Sequence, residues 1–196
     1  MRRLAPVLVM GTLLALSLAG CANGLVRQAP TPLHLETPRP PHQPLMLDAL
    51  GIAEVRLAAN LSEHDILYSE RDRQWRPYTQ AQWRASLSPQ LHDLLMDYLS
   101  QSGAVEVVHD GSVESNWLLE LVVVEWLHDY RAAQPRARIV LRTTLHDGDR
   151  VVDQWRWSGE RVFAPAGAEA GVAMQQRLLG DYLDDLLQHL SRAVAR

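Results

Sequence analysis

The spacing of apolar residues sets out two amphipathic helices. Trp83, Leu87, Leu91, Leu94 with Leu95, and Tyr98 with Leu99 recur at steps of three and four, which draws one apolar stripe down the side of a helix. Ser88 and Pro89 place the regular start at Pro89: the serine caps orphan amides, and proline fits the first helical position, where its missing N–H has no partner to lose. Residues 80–87 then form a separate turn or a kinked first segment, because proline inside a continuous helix removes a hydrogen bond. Ser102 and Gly103 end the helix, the glycine taking the left-handed cap without steric cost. A second stripe over 172–194 carries Leu179, Tyr182, Leu183, Leu186, Leu187, Leu190 and Val194, opposite Asp181, Asp184, Asp185, Gln188 and Arg192. Both stripes need a surface to cover.

Elsewhere the period drops to two. Ile52, Val55 and Leu57 give a first short strand, 66–68 a second, followed by an aromatic connector of Trp75, Pro77 and Tyr78. A strand over 104–108 ends at the Asp110-Gly111 turn signal. The stretch 117–130 is apolar on both faces, interrupted by Glu120 and Glu125, whose opposite parity points them to opposite faces of a regular strand and excludes a shared acid/base site. Over 136–146 the alternation is clean: Ala137, Ile139, Leu141, Thr143 and Leu145 on one side, Arg138, Val140, Arg142, Thr144 and His146 on the other. Asp147-Gly148-Asp149 closes a hairpin to a strand over 150–163, with Trp155 and Trp157 on one face, read as cross-strand packing in preference to a ligand platform. The predicted architecture is α+β: a mostly antiparallel mixed sheet with two long helices packed on one face.

The N-terminus adds a different signal. Arg2 and Arg3 precede an apolar run over 4–18 that ends in Leu18-Ala19-Gly20-Cys21, the order of a secretory signal and not of a spanning helix. The small residues before a lone cysteine resemble a bacterial lipobox, in which Cys21 is acylated and becomes the first residue of the mature protein; the other reading is an ordinary signal with an incidental cysteine. With Cys21 the only cysteine, no internal disulfide can form. Several acyl chains on one residue anchor firmly, and Ala22, where an aspartate would retain the protein at the inner membrane in enterobacteria, implies the periplasmic face of the outer membrane. Six prolines over 23–44 read as a semi-rigid tether with a reach of roughly 60 to 70 Å at about 3.1 Å per residue. The expected layout is thus a signal over 1–20, a tether over 21–44 and one folded domain over 45–196.

Composition mainly excludes. Loss of residues 1–20 removes Arg2 and Arg3 and moves the formal charge from −4 to −6, and the arginines are scattered, which argues against nucleic acid. No phosphate loop, GxSxG elbow, HExxH or paired-cysteine set occurs. The eight histidines are dispersed, and in His64-Asp65, His128-Asp129 and His146-Asp147 neighbouring strand residues face opposite ways. No catalytic residue, metal ligand or cofactor is assigned. The candidate contacts for a partner are an aromatic patch of Trp75, Tyr78 and Trp83 and an arginine face of Arg138 and Arg142; a core role for the aromatics and a solvated face for the arginines are the competing readings.

These residues resemble the ABC-type transport auxiliary lipoproteins, PqiC-like proteins that accompany mammalian-cell-entry-domain lipid transport systems. The resemblance lies in Leu67-Tyr68-Ser69, Trp83 before a helix, the stripe over 91–99, and Ser102-Gly103-Ala104-Val105 leading to Val107-Val108. Weaker matches are the strand over 138–145 and Gly171-Val172-Ala173 opening the last helix. It implies a lipid-anchored periplasmic domain without catalysis. The implied partners are a mammalian-cell-entry-domain protein and an ABC permease/ATPase complex, with the membrane reached through the anchor; a homo-oligomer is compatible with it. The alternative is a structural or assembly lipoprotein of the outer membrane unconnected to a transporter.

Overall fold

The computed structural model describes residues 29–72, 74–111 and 115–195. Among these residues nine strands and two helices follow in order: β1 (Thr31–Leu33), β2 (Leu47–Ile52), β3 (Arg56–Leu57), β4 (Asp65–Ser69), β5 (Trp75–Trp83), α1 (Leu87–Ser102), β6 (Val105–Asp110), β7 (Trp117–Asp129), β8 (Arg136–Asp147), β9 (Arg150–Val162) and α2 (Ala168–Val194).

The strand that is apolar on both sides, β7, is central. On one side it pairs along its length with β8, antiparallel, and β8 pairs with β9 in the same sense. On its other side β2, β3 and β4 lie end to end, each parallel to β7, so the chain from Leu47 to Ser69 runs once along that strand. Beyond this broken strand lie β6, parallel to β2, and β5, antiparallel to β4, with β1 parallel to β5. The sheet is mixed: the long β7–β8 and β8–β9 ladders and the short β4–β5 ladder are antiparallel and the rest parallel, and the α+β expectation stands.

Both helices cover the same face. Leu87, Leu91, Leu94, Leu95, Tyr98 and Leu99 of α1 are buried, as are Leu179, Tyr182, Leu183, Leu186, Leu187 and Leu190 of α2, in one core with the inward residues of β7 and β8. The Tyr98 hydroxyl donates to Asp184 of α2 over 2.8 Å, and the Thr143 and Tyr182 hydroxyls pair over 2.9 Å inside the core. Trp157 meets Tyr182 edge-on, and Trp155 stacks on His189 at 3.9 Å. The two tryptophans therefore pack on α2, not across strands. Among the described residues the other face of the sheet carries no helix.

Four expectations need correction. First, α1 begins at Leu87, with Pro89 inside its first turn, where an absent N–H still has no intrahelical partner. Its start is capped from a distance: the Glu63 carboxylate accepts from the Ser88 N–H (3.0 Å) and the Ser88 hydroxyl, while Gly103 ends the helix at φ 77 as expected. Second, Trp83 ends a strand and does not open the helical stripe. Third, Glu120 and Glu125 share the open face, because a bulge between Val123 and Glu125 flips the parity of β7. Fourth, the proline-rich stretch is laid on the domain from Thr31 onward. β1 pairs with β5, Leu35 is buried with its N–H donating to Gln90 Oε1 (3.1 Å), and the Gln43 N–H donates to the Ser102 carbonyl (2.7 Å). Prolines allow this because the backbone bonds fall on residues between them.

Candidate functional site

The candidate residues do not come together. Cys21 lies outside the described residues. Trp83 is 2% exposed and belongs to the core, so it cannot meet a partner, while Trp75 and Tyr78 are half-buried on β5. The aromatic patch is thus split between core and surface: Trp75 and Trp83 share a parity, and the irregular pairing of β5 with β4 between Pro77 and Gln82 sets them apart.

Tyr78 instead joins a buried polar network. Its hydroxyl lies 2.9 Å from Nδ1 of His128 on β7 and 2.8 Å from the Tyr130 hydroxyl, which accepts from the Gly167 N–H at 3.1 Å. One proton order satisfies every hydroxyl: Tyr130 donates to Tyr78, Tyr78 donates to His128 Nδ1, and the imidazole is neutral with its proton on Nε2. The reverse order leaves the Tyr130 proton without an acceptor. Phe163 packs on both the His128 and Tyr130 rings, and Tyr68 on Tyr78 and Tyr130. Burial pulls the His128 pKa down to about 4, opposed by the neighbouring Gln175 amide, and pushes the Tyr78 hydroxyl well above its usual range. His128 is 0% exposed, and the network fastens β7, β5 and the start of α2 together. Tyr78 also lines a groove of about 510 Å³ with Gln80, Ala81, Pro165, Gly167 and Glu169.

Gly171 shows how tight this junction is. A Cβ there would lie only 2.2 to 2.5 Å from three ring atoms of His128, a ring pinned by Tyr78. Gly171→Ala is expected to lower stability by about 2 kcal/mol through overpacking, read as a shift in urea midpoint at unchanged slope. Gly180, with open space at its Cβ position, serves as the control in which alanine does no harm.

The arginines sort differently on the open face. Arg138 is paired with Glu125 at 2.7 Å, Arg136 with Glu160, and Arg56 with Glu120 at 3.1 Å. Arg142 is exposed and has no carboxylate within ion-pair distance among the described residues; directly opposite it on β9 stands Arg156, also exposed and, among the described residues, also without an ion pair. Val140 and Thr144 on the same face are buried, Thr144 accepting from Gln154 at 3.0 Å. Sequence reading missed Arg156 for a definable reason. Counting back from the Asp147–Arg150 turn sets Trp155 opposite Arg142, but a register shift between Leu145 and His146 moves Arg156 there instead.

Among the described residues no group of three or more His, Cys, Asp or Glu side chains could hold a metal ion, and no helix is long and apolar enough to cross a membrane.

Comparison with known proteins agrees with this geometry. The profile of the ABC-type transport auxiliary lipoprotein component family matches residues 32–187. A crystal structure of a Xanthomonas campestris protein of the DUF330 family is similar at a TM-score of 0.66 and 22% identity, over 85% of this chain and 95% of that one. An uncharacterized protein of known structure is similar at 0.68 and 16% identity, over 84% and 100%. A hypothetical protein of Chlamydia trachomatis reaches 0.53 at 9% identity, over 72% and 96%. These likenesses share a fold. A search of curated proteins finds no match.

Proposed function

Because the chain belongs to the family of ABC-type transport auxiliary lipoprotein components, we propose that it is the lipid-anchored periplasmic subunit of an intermembrane lipid transport system. It sits at the outer membrane and docks on or bridges to a mammalian-cell-entry-domain protein and its ABC permease/ATPase. The observation that carries this reading is the family match over 32–187. The signal and lone cysteine at Leu18-Ala19-Gly20-Cys21 support it. An anchor turns later encounters with a partner at the same membrane into intramolecular ones, which raises effective concentration without catalysis.

Two measurements test it. Cys21→Ser should move the protein from the membrane fraction to the soluble periplasm. The acylated wild type, purified from detergent-solubilised membranes, should bring the mammalian-cell-entry protein of the same cell with it. A wild-type preparation from which that protein is absent overturns the transport reading.

A further inference from the structure

The last strand of the sheet is open. β9 pairs with β8 on one side, and no strand pairs with its other side among the described residues. Thirteen residues of free edge form a template for another extended chain. The edge also carries an uncompensated charge: Arg156 faces Arg142, a directly opposed like pair that destabilises the native sheet. The neighbouring guanidiniums of Arg136 and Arg138 are matched by Glu160 and Glu125.

We propose that the free edge of β9 accepts an extended segment of the partner protein by main-chain pairing, with an acidic side chain of that segment set against Arg156 and Arg142. This rests on the docking reading above and names its surface. A bilayer fits the face poorly, because headgroups spread over it would meet Glu120, Glu125 and Glu160 as well as the arginines. A second copy fits poorly too. Two β9 strands paired about their middles would bring another Arg156 to the same spot and add to the charge.

The test uses the detergent-solubilised full-length lipoprotein and the purified mammalian-cell-entry protein of the same cell. Arg156→Glu and Arg142→Glu should each weaken binding at least tenfold. Each should also leave Tm equal to or above wild type, because it replaces an opposed like pair with a cross-strand ion pair. Lost affinity without lost stability separates docking from folding. Arg177→Glu, at an exposed arginine of α2, should change neither. A photo-crosslinker at Ser158 of β9 should label the partner. Unchanged affinity in both arginine variants overturns the β9 surface and leaves the docking reading standing. A wild type that does not bind overturns the docking reading, and the surface falls with it. Crosslinks confined to a second copy of this chain overturn the choice of partner.

Discussion

Trp83→Ala is expected to destabilise the fold by about 4 kcal/mol, the range for removing a large aromatic from a core. The indole ends β5 at 2% exposure, in one cluster with Leu87 and Leu91 of α1 and Ile66 of β4. Its removal leaves a cavity that several elements would have to close at once. Its N–H is buried without a hydrogen-bond partner, so Trp83→Phe keeps most of the burial, strands no acceptor and should cost much less. Trp75→Ala, at the half-buried start of the same strand, should also cost much less. Urea midpoints at constant slope read all three. A Trp83→Ala protein as stable as wild type would contradict the core assignment. Conversely, weak partner binding by Trp83→Ala reports unfolding and not a lost contact.

Acidification should cost about 3 kcal/mol through His128 alone. The imidazole is held neutral in the fold with a pKa of about 4 against an ordinary 6.5. The unfolded chain therefore binds a proton first as pH falls. This contribution is fully present above about pH 6.5, declines from there, and is exhausted near pH 4; each tenfold difference in proton affinity between the folded and unfolded chain corresponds to about 1.4 kcal/mol. The carboxylate of Asp129, held low by its hydrogen bond from Arg131, adds a loss at more acid pH. A difference measurement against His128→Phe separates the two. That variant leaves the Tyr78 hydroxyl without its acceptor, a penalty that does not titrate in this range. Unfolding free energies at pH 7.5, 5.5 and 4 should converge between wild type and variant as pH falls. Parallel curves would mean that His128 is not kept neutral by the fold.

What the sequence reveals and what it hides divide along physical lines. Stripes of period 3.6 and 2 report which side of an element is buried, so α2, the alternation of β8 and the apolar run of β7 are legible from their residues. Bulges leave no such mark. One extra residue near Val124 sends Glu120 and Glu125 to the same face, and the shift beside Leu145 exchanges Trp155 for Arg156 opposite Arg142. The exposed half of the candidate surface is hidden because it depends on register. The His128 network is hidden because Tyr78 and Gly167 lie far in sequence from each other and from the His128–Tyr130 pair. Trp83 misleads because an aromatic one turn before a leucine stripe continues its spacing, although Ser86 already separates strand from helix.

The short pairing of β1 with β5 shortens the leash. Among the described residues pairing already holds Thr31, ten residues after Cys21, so a chain held by that sulfur reaches no more than about 30 Å before it meets the domain, at roughly 3.1 Å per residue. That is about twice the radius of gyration expected for a domain of this size, roughly 15 Å. The domain would hug the bilayer, unable to swing far across the periplasm. Any partner spanning the envelope would have to descend to meet it.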